Sequence, residues 1–391
     1  MDFKSIIAVF KAHKTTGIAV FKAHKTTGRC LPADFSEWSM RSPKSRSGRT
    51  VAHEAVLHGY PLPGDPDIWA LREDAFSRGD RLGYTVAHRA TEHGYALPKD
   101  FAGWHWKTQL GDTVAHLAIR NQIALPDDFS DWSLRDSEGR TVAHLFASSR
   151  SRHHIAATFI PESIDWSIRD DKGNTIAHSA VSGGHPLPSN FDGWGWRNDA
   201  GISVAELAVI ARREFPVDFS AWYLRDVLGN TIAHRLVLSG VRPPKGFSNW
   251  DLRDAKGNTV IHVMVKNGWR LPNDFNNFEW ANDEGVTIAH LIAMDEKLSN
   301  KLPDDFNGWG WTDKRGNTVA HFRASVGLPI PDSVSLEIWE QPAKCGRSVI
   351  DIAREYGYLS LISAYEQKKL SATIEGDEHQ GKKGFVHRNG V

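Results

Sequence analysis

The sequence predicts an all-α fold, an elongated helical solenoid built from short helix-turn-helix units. A nine-residue phrase, Asp136-Ser-Glu-Gly-Arg-Thr-Val-Ala-His144, returns with small changes along the chain. It joins a glycine-containing turn to a Thr-Val-Ala-His run that favours helix. The commonest spacing between copies is 28 residues. Because a fixed period indicates units that stack on their neighbours, the 391 residues need not divide into separate globular domains.

One histidine marks each unit of the array, which we place at residues 31–366. The positions are His53, His88, His116, His144, His178, His234, His262, His290 and His321. Glu206 stands in the same slot of one unit and Asp351 in that of the last. Where the spacing exceeds 28 residues, we expect loop insertions, at residues 72–82, 149–157 and 295–300.

The first half of each unit predicts a turn followed by a short helix. In Asp254-Ala-Lys-Gly257 the glycine supplies the positive φ that closes a tight turn. In the segment from Thr85 to Gly94, threonine is suited to cap the helix and glycine to end it. We therefore expect a helix of two to three turns that buries Val86, Ala87 and Ala90.

The second half of each unit, as in residues 125–135, predicts a short second helix rich in aromatic residues. Asp128 is placed to cap a helix that begins at Phe129, and Phe129 and Trp132 share one face of a single turn. A tryptophan series invites an interpretation as a stacking surface for ligands. Phe278 replaces the tryptophan once, however, so we favour core packing for Trp132, Trp222 and Trp250.

The two ends of the chain differ from the array. An eleven-residue segment, residues 7–17, is repeated without change at residues 18–28, and we expect residues 1–30 to form a capping segment. The last unit has a longer second helix, as a terminal repeat that covers the end of a stack requires. Residues 367–391 are mainly polar and predict a disordered tail.

Composition narrows the class of protein. The 47 basic and 47 acidic residues balance, which argues against a nucleic-acid-binding protein. Cys30 and Cys345 lie far apart and form no disulfide framework, which indicates a reducing compartment. No apolar run reaches the roughly 20 residues of a membrane span. We expect a monomeric cytoplasmic protein, although signal-independent export would leave no trace in the sequence.

The repeated phrase Asp-x-x-Gly-x-Thr-Val-Ala-His-x-Ala resembles the ankyrin repeat, in which Pro-Leu stands in place of Val-Ala. The last unit, residues 347–365, is similar to an ordinary final ankyrin repeat. The units are shorter than the usual 33 residues, and the aromatic segment replaces the second helix. The resemblance implies a stack of helices. A β-propeller is the structural alternative, but the Ala-His-x-Ala run favours helix over strand.

The histidine column suggests metal binding or catalysis, but its spacing argues against both. Helices in neighbouring layers lie roughly 8–10 Å apart, whereas metal ligands lie about 2 Å from a shared ion. The resemblance implies that each histidine bonds its threonine and the neighbouring turn. His153 and His154 lie in an insertion. We predict no catalytic residue, no metal and no cofactor, because no unit pairs the groups that such chemistry needs.

The sequence thus favours a non-enzymatic scaffold that binds another protein. The resemblance implies recognition through the turn tips and the exposed side of the first helix. The candidate residues are Glu92, His93, Arg120, Asn121, Ser137, Glu138, Asp171, Lys172, Ala255, Lys256, Lys266, Asn267, Lys314 and Arg315. Two alternatives stay open: an effector exported to act on host-cell proteins through the same surface, and a small-ligand or metal-binding activity on an insertion loop.

Overall fold

The structure is a computed structural model that describes residues 38–41, 48–57, 59–73, 83–149, 164–298 and 302–384. Its contacts divide the chain into two compact units, Met1–Pro216 and Val217–Val391. Within each unit, the helix of every repeated phrase packs against the helix of the next phrase. The predicted capping segment and its duplicated eleven-residue sequence lie outside the described residues.

Both units are built from helices. The first contains α1 (Val51–Leu57), α2 (Pro66–Ala70), α3 (Val86–Glu92), α4 (Val114–Arg120), α5 (Val142–Ser148), α6 (Ile176–Gly183) and α7 (Val204–Ile210). The second contains α8 (Ile232–Leu238), α9 (Val260–Lys266), α10 (Ile288–Ala293), α11 (Val319–Ser325), α12 (Leu336–Glu340), α13 (Val349–Glu355) and α14 (Leu359–Gly384). Over the described ranges only isolated antiparallel bridges occur, such as Arg135 to Thr141. The predicted all-α class is confirmed, and the β-propeller alternative is wrong.

In most of the described repeats the first helix begins with the predicted threonine cap, and in two of them a serine takes its place. In α5 the Thr141 hydroxyl accepts a hydrogen bond from the backbone N–H of His144 at 3.3 Å. In α3 the side chains of Val86, Ala87 and Ala90 are completely buried. These features satisfy an otherwise free N–H group and place the apolar face in the stack, as predicted.

The predicted second helix is much shorter in the structure. In the part of the chain that the structure describes, four repeats contain one 3-10 turn there, at Gly103–His105, Gly193–Gly195, Ala221–Tyr223 and Gly308–Gly310. In the repeat that contains Asp128, the chain forms a turn in which the Phe129 N–H donates to the Pro126 carbonyl at 3.0 Å. Asp128 therefore does not start an α-helix at Phe129. A segment this short does not recover the cost of nucleating an α-helix.

Edge-to-face aromatic packing replaces the missing helix. The ring centroids of Phe129 and Trp132 are 5.2 Å apart, and those of Trp132 and Phe146, in α5, are 5.4 Å apart. The indole N–H of Trp132 donates to the Phe129 carbonyl at 2.9 Å. The aromatic segment is thereby tied to the first helix of the next repeat through ring contacts of favourable geometry.

Replacement of Trp132 by alanine is expected to lower the free energy of unfolding by about 3–5 kcal/mol, because the side chain is only 5% exposed. The effect should be local, since repeats interact chiefly with their neighbours. Hydrogen exchange should show loss of protection in α4 and α5 and none in α9. Trp132→Phe, which keeps a ring but loses the N–H, should be milder. Uniform loosening over all repeats would contradict this expectation.

The end of the second unit is helical over most of the predicted disordered tail. Helix α14 runs from Leu359 to Gly384 and is anchored by the buried side chains of Leu361 and Tyr365. The Tyr365 hydroxyl donates to a Glu340 carboxylate oxygen at 2.6 Å. Beyond Glu366 the helix continues because Gln, Lys, Leu and Ala favour helix even where little is buried. Residues 385–391 lie outside the described residues, and the limits of the array stay a prediction.

Candidate interaction surface

Many of the turns between repeats are held by an aspartate at their first position. The Asp136 Oδ1 atom accepts hydrogen bonds from the backbone N–H groups of Glu138 and Arg140, both at 2.9 Å. Gly139 has a φ of 68°, as the turn requires and as the sequence predicts. Asp136 and Gly139 are buried, whereas Ser137 and Glu138 between them are exposed. The turn thus fixes its backbone with the outer residues and leaves the two middle side chains free to vary.

Neighbouring turns are hydrogen-bonded into rows. In the first unit the Asp171 N–H donates to the Glu138 carbonyl at 3.1 Å, and the Asp199 N–H donates to the Lys172 carbonyl at 3.1 Å. The second unit repeats the contact, with donors and acceptors Asp283 to Lys256, Lys314 to Glu284, and Lys344 to Arg315. Backbone groups hold each row together, so the exposed side chains at its tips are not needed for stacking.

The candidate residues at the turn tips all lie on this surface. Those that are exposed are Ser137, Glu138, Asp171, Lys172, Ala255, Lys256, Lys314 and Arg315. Glu138 and Lys172 lie 3.8 Å apart across neighbouring tips, both largely exposed. An exposed pair of this kind contributes little to stability. The structure therefore brings the tip candidates together, in one row for each unit.

The candidate residues at helix ends are also accessible, but most of them bind other groups of the stack. Arg120 lies 3.0 Å from the buried carboxylate of Asp136. The side-chain amides of Asn121 and Asn267 donate to carbonyls in the last turns of their own helices, at 2.9 and 2.7 Å. Glu92, which is only partly exposed, pairs with Arg89. Lys266 reaches Asn258 at 3.2 Å, and His93 is exposed. Unsatisfied carbonyls at helix ends attract such donors, so the turn tips are the better candidates.

The histidines of the repeated phrase are buried, and most of them are bonded at both ring nitrogens, whereas His88 is bonded at Nδ1 alone. In α9 the His262 Nδ1 atom accepts from the Thr259 backbone N–H at 3.1 Å. Its Nε2 atom lies 3.0 Å from the Val286 carbonyl of the following repeat. Because a carbonyl only accepts, the proton of the neutral ring is on Nε2. The same two contacts recur at His144, His178 and His290, so the histidine links each repeat to the next.

Burial lowers the pKa of every histidine in this column. Removal from water lowers the pKa of His53, His88 and His262 from 6.5 to about 4. It lowers the pKa of His116, His144, His178, His234, His290 and His321 in the same direction. These rings are neutral at neutral pH and their donor and acceptor capacity is used in linking repeats, which fits a structural role.

The tryptophans at the repeat position contact phenylalanines. Trp222 lies between Phe219 and Phe247, with centroid distances of 4.5 and 5.2 Å, and Phe247 in turn lies 4.6 Å from Trp250. Phe278, which stands at the tryptophan position in one repeat, is buried, as Trp222 is. Rings packed in this way on both sides leave no open face between them on which a base or sugar stacks.

A second structural column went unnoticed in the sequence. The guanidinium of Arg135, just before the turn, donates to the Gly139 carbonyl at 2.6 Å and to the Arg169 carbonyl of the next repeat at 2.7 Å. Arg253 makes the equivalent bonds to Gly257 and Ala281, at 2.8 and 2.6 Å. The signal was present, because arginine precedes the aspartate in most copies of the phrase.

The described part of the chain lacks the features of a metal site and of a membrane-spanning helix. It contains no group of three or more His, Cys, Asp or Glu residues placed to hold a metal ion. His153 and His154 lie outside it. Among its helices none is long and apolar enough to cross a membrane. Cys345 is exposed at the tip of a turn.

Comparison with known proteins gives limited similarity to solved structures. No protein-family model and no curated protein sequence matches the chain. Among solved structures, the chain is similar to the ankyrin repeat domain of Bcl-3, described as a unique member of the IkappaB protein family. The identity is 14%, and the match covers 81% of this chain and 99% of that one, with a TM-score of 0.22.

Proposed function

We propose that this protein is a non-enzymatic scaffold that binds another protein through the tips of its stacked turns. The observation that carries the proposal is the division of labour within each turn. Backbone bonds and the buried aspartate hold the row, while exposed middle residues such as Glu138 and Lys256 differ in charge from repeat to repeat. A rigid row with variable side chains is suited to specific recognition, because little ordering is needed on binding.

We further propose that the protein is a monomer that works in the cytoplasm and binds neither a cofactor nor nucleic acid. The balanced charge of the whole chain supports the last point, since nucleic-acid binding draws on an excess of basic residues. The two distant cysteines support a reducing compartment.

Reversal of the tip charges is expected to abolish partner binding without unfolding the protein. The variant carries Lys172→Glu, Lys256→Glu, Lys314→Glu and Arg315→Glu, all at exposed positions. Its melting temperature should stay within about 2 °C of wild type, because surface substitutions away from structural contacts cost little. Affinity capture from a lysate, followed by mass spectrometry, should recover partners with wild type that the variant fails to recover.

The matched control reverses exposed charges on the aromatic segments, with Asp127→Lys and Asp304→Lys. This control should keep the captured partners. Partners that bind the tip variant as well as wild type, while that variant remains folded, would overturn the assignment of the binding surface.

A further inference from the structure

One turn tip of the second unit exposes two large apolar side chains. Val227 and Leu228 are 76% and 71% exposed, between the structural residues Asp226 and Gly229. The Asp226 carboxylate accepts from the Leu228 N–H at 2.9 Å, so the turn has the same geometry as its charged counterparts. Neither side chain is used in packing. Apolar side chains held in water on a rigid turn are typical of contact sites.

The charge of the side chains at the other tips of this unit changes along the row. Ala255 and Lys256 follow the apolar tip, Asp283 and Glu284 come next, and the last two tips carry Lys314, Arg315 and Lys344. All of these residues are exposed. The last three form no ion pair with any described residue, so a basic patch ends the row.

The row is continuous from the apolar tip to the basic patch. Backbone hydrogen bonds of 3.1, 2.8 and 2.9 Å join the last four tips of the row. Gly229 packs closely on Ala255, where an added Cβ would lie 2.5 Å from the Ala255 Cβ atom. With helix layers roughly 10 Å apart, the Lys314 tip is about 30 Å from the apolar tip. An extended peptide covers that distance with about nine residues.

We propose that the turn row of the second unit, residues 226–229, 254–257, 282–285, 313–316 and 343–346, binds an extended segment of a partner protein. That segment carries bulky apolar residues at one end and acidic residues about nine positions away. Charge complementarity sets the acidic end, since Lys314, Arg315 and Lys344 present unpaired positive charge. Val227 and Leu228 supply the apolar anchor. This inference rests on the proposed function and narrows it to one row and one partner chemistry.

Selection from a phage-displayed library of random peptides of about 16 residues tests the proposal on the full-length chain. The enriched peptides should combine an apolar pair with an acidic cluster at the stated separation. Their dissociation constants, measured by fluorescence anisotropy, should rise about tenfold or more with Val227→Ser/Leu228→Ser and with Lys314→Glu/Arg315→Glu/Lys344→Glu. Binding should weaken as salt is added, because the charges involved are exposed.

The matched control reverses a tip of the first unit, Asp171→Lys/Lys172→Glu, and should leave affinity within about twofold of wild type. Circular dichroism establishes that each variant is folded. Peptides without an acidic excess, peptides that bind both second-unit variants normally, or a library without enrichment would overturn the inference. Partner binding that is lost only in the first-unit variant would sink the inference and leave the proposed function standing. Partners indifferent to every tip would sink both.

Discussion

As the pH falls from 6.5 towards 4, the repeats are expected to lose stability steeply and to unfold well before their carboxylates are protonated. The cause is the column of buried neutral histidines. For His53, His88 and His262 the pKa falls from 6.5 to about 4 because the rings are buried. A pKa difference of this size corresponds to about 3 kcal/mol of stability for each ring.

The sign follows from where the protons bind. Above pH 6.5 both the folded and the unfolded chain hold neutral histidines, so the full stability is present. Between pH 6.5 and about 4 the unfolded chain takes up protons that the folded chain rejects, and each such ring adds a slope of about 1.4 kcal/mol per pH unit. Although burial raises the pKa of Asp136, bonds from Arg140 and Glu138 outweigh it and hold that pKa below 3.8. Its contribution is therefore lost at lower pH.

Protonation also breaks a specific contact. The Nδ1 atom of His262 accepts from the Thr259 N–H in the neutral ring, and a protonated ring places two donors against each other there. The start of α9 would lose the histidine half of its capping box, and the link to the Val286 carbonyl would hold a charged ring in a buried site. Acid should therefore act at the joints between repeats.

Urea unfolding followed by circular dichroism at pH 8, 7, 6 and 5 measures the effect. The free energy of unfolding should change little between pH 8 and 7 and fall sharply below 6.5. His262→Asn removes one titrating ring and should give a shallower pH dependence. The control His105→Asn, at an exposed position in a 3-10 turn, should keep the wild-type slope. Equal stability at pH 7 and pH 5 would refute the buried neutral column.

Much of each repeat was predictable because its determinants are local. The turn of Asp136 and Gly139, the cap by Thr141 and the partner of His144 depend on residues within nine positions of one another. The extent of the aromatic segment was not predictable in the same way. Whether residues such as Phe129 continue into a helix depends on tertiary contacts of the aromatic rings, which extend to Phe146.

The contacts between repeats were harder to predict from the sequence. Arg135 directly precedes the repeated phrase, yet its bond to the Arg169 carbonyl depends on how closely one turn lies on the next. Arg120 occupies an exposed helix end, where variation in sequence favours an interaction surface. The structure instead places it 3.0 Å from Asp136, because the charge of a buried carboxylate attracts a nearby cation.

The most buried ion pair of the described residues was likewise not predictable from the sequence. Its removal is the second large effect that we expect. Arg89→Ala should lower the free energy of unfolding by about 5 kcal/mol. Arg89 and Glu73 have side chains only 1% exposed and form two bonds, at 2.8 and 2.7 Å. The guanidinium also lies 4.6 Å from the centre of the Tyr84 ring. Although burial alone would lower the pKa of Arg89, the bonds and charge of Glu73 outweigh it and raise that pKa.

The cost arises from the group left behind. Without Arg89 the Glu73 carboxylate stays buried with Arg49, 3.1 Å away, as its remaining partner. Replacement of both residues, Glu73→Leu/Arg89→Leu, removes the charges together and should recover most of the lost stability, because apolar side chains suit the same site. Urea unfolding of Glu73→Leu, Arg89→Leu and the double variant at pH 7 gives the coupling energy directly.

Lys172→Ala is the matched control in the same unit, since it removes an ion pair in which both partners are largely exposed. It should leave the unfolding midpoint unchanged. A double variant less stable than either single one would mean that the two residues stabilise the fold separately and that the charge left behind is not the cause of the loss. An Arg89→Ala variant as stable as wild type would mean that water reaches Glu73 and that the site is not dry. The recovery expected of the double variant follows because two buried charges mainly offset each other's cost of leaving water.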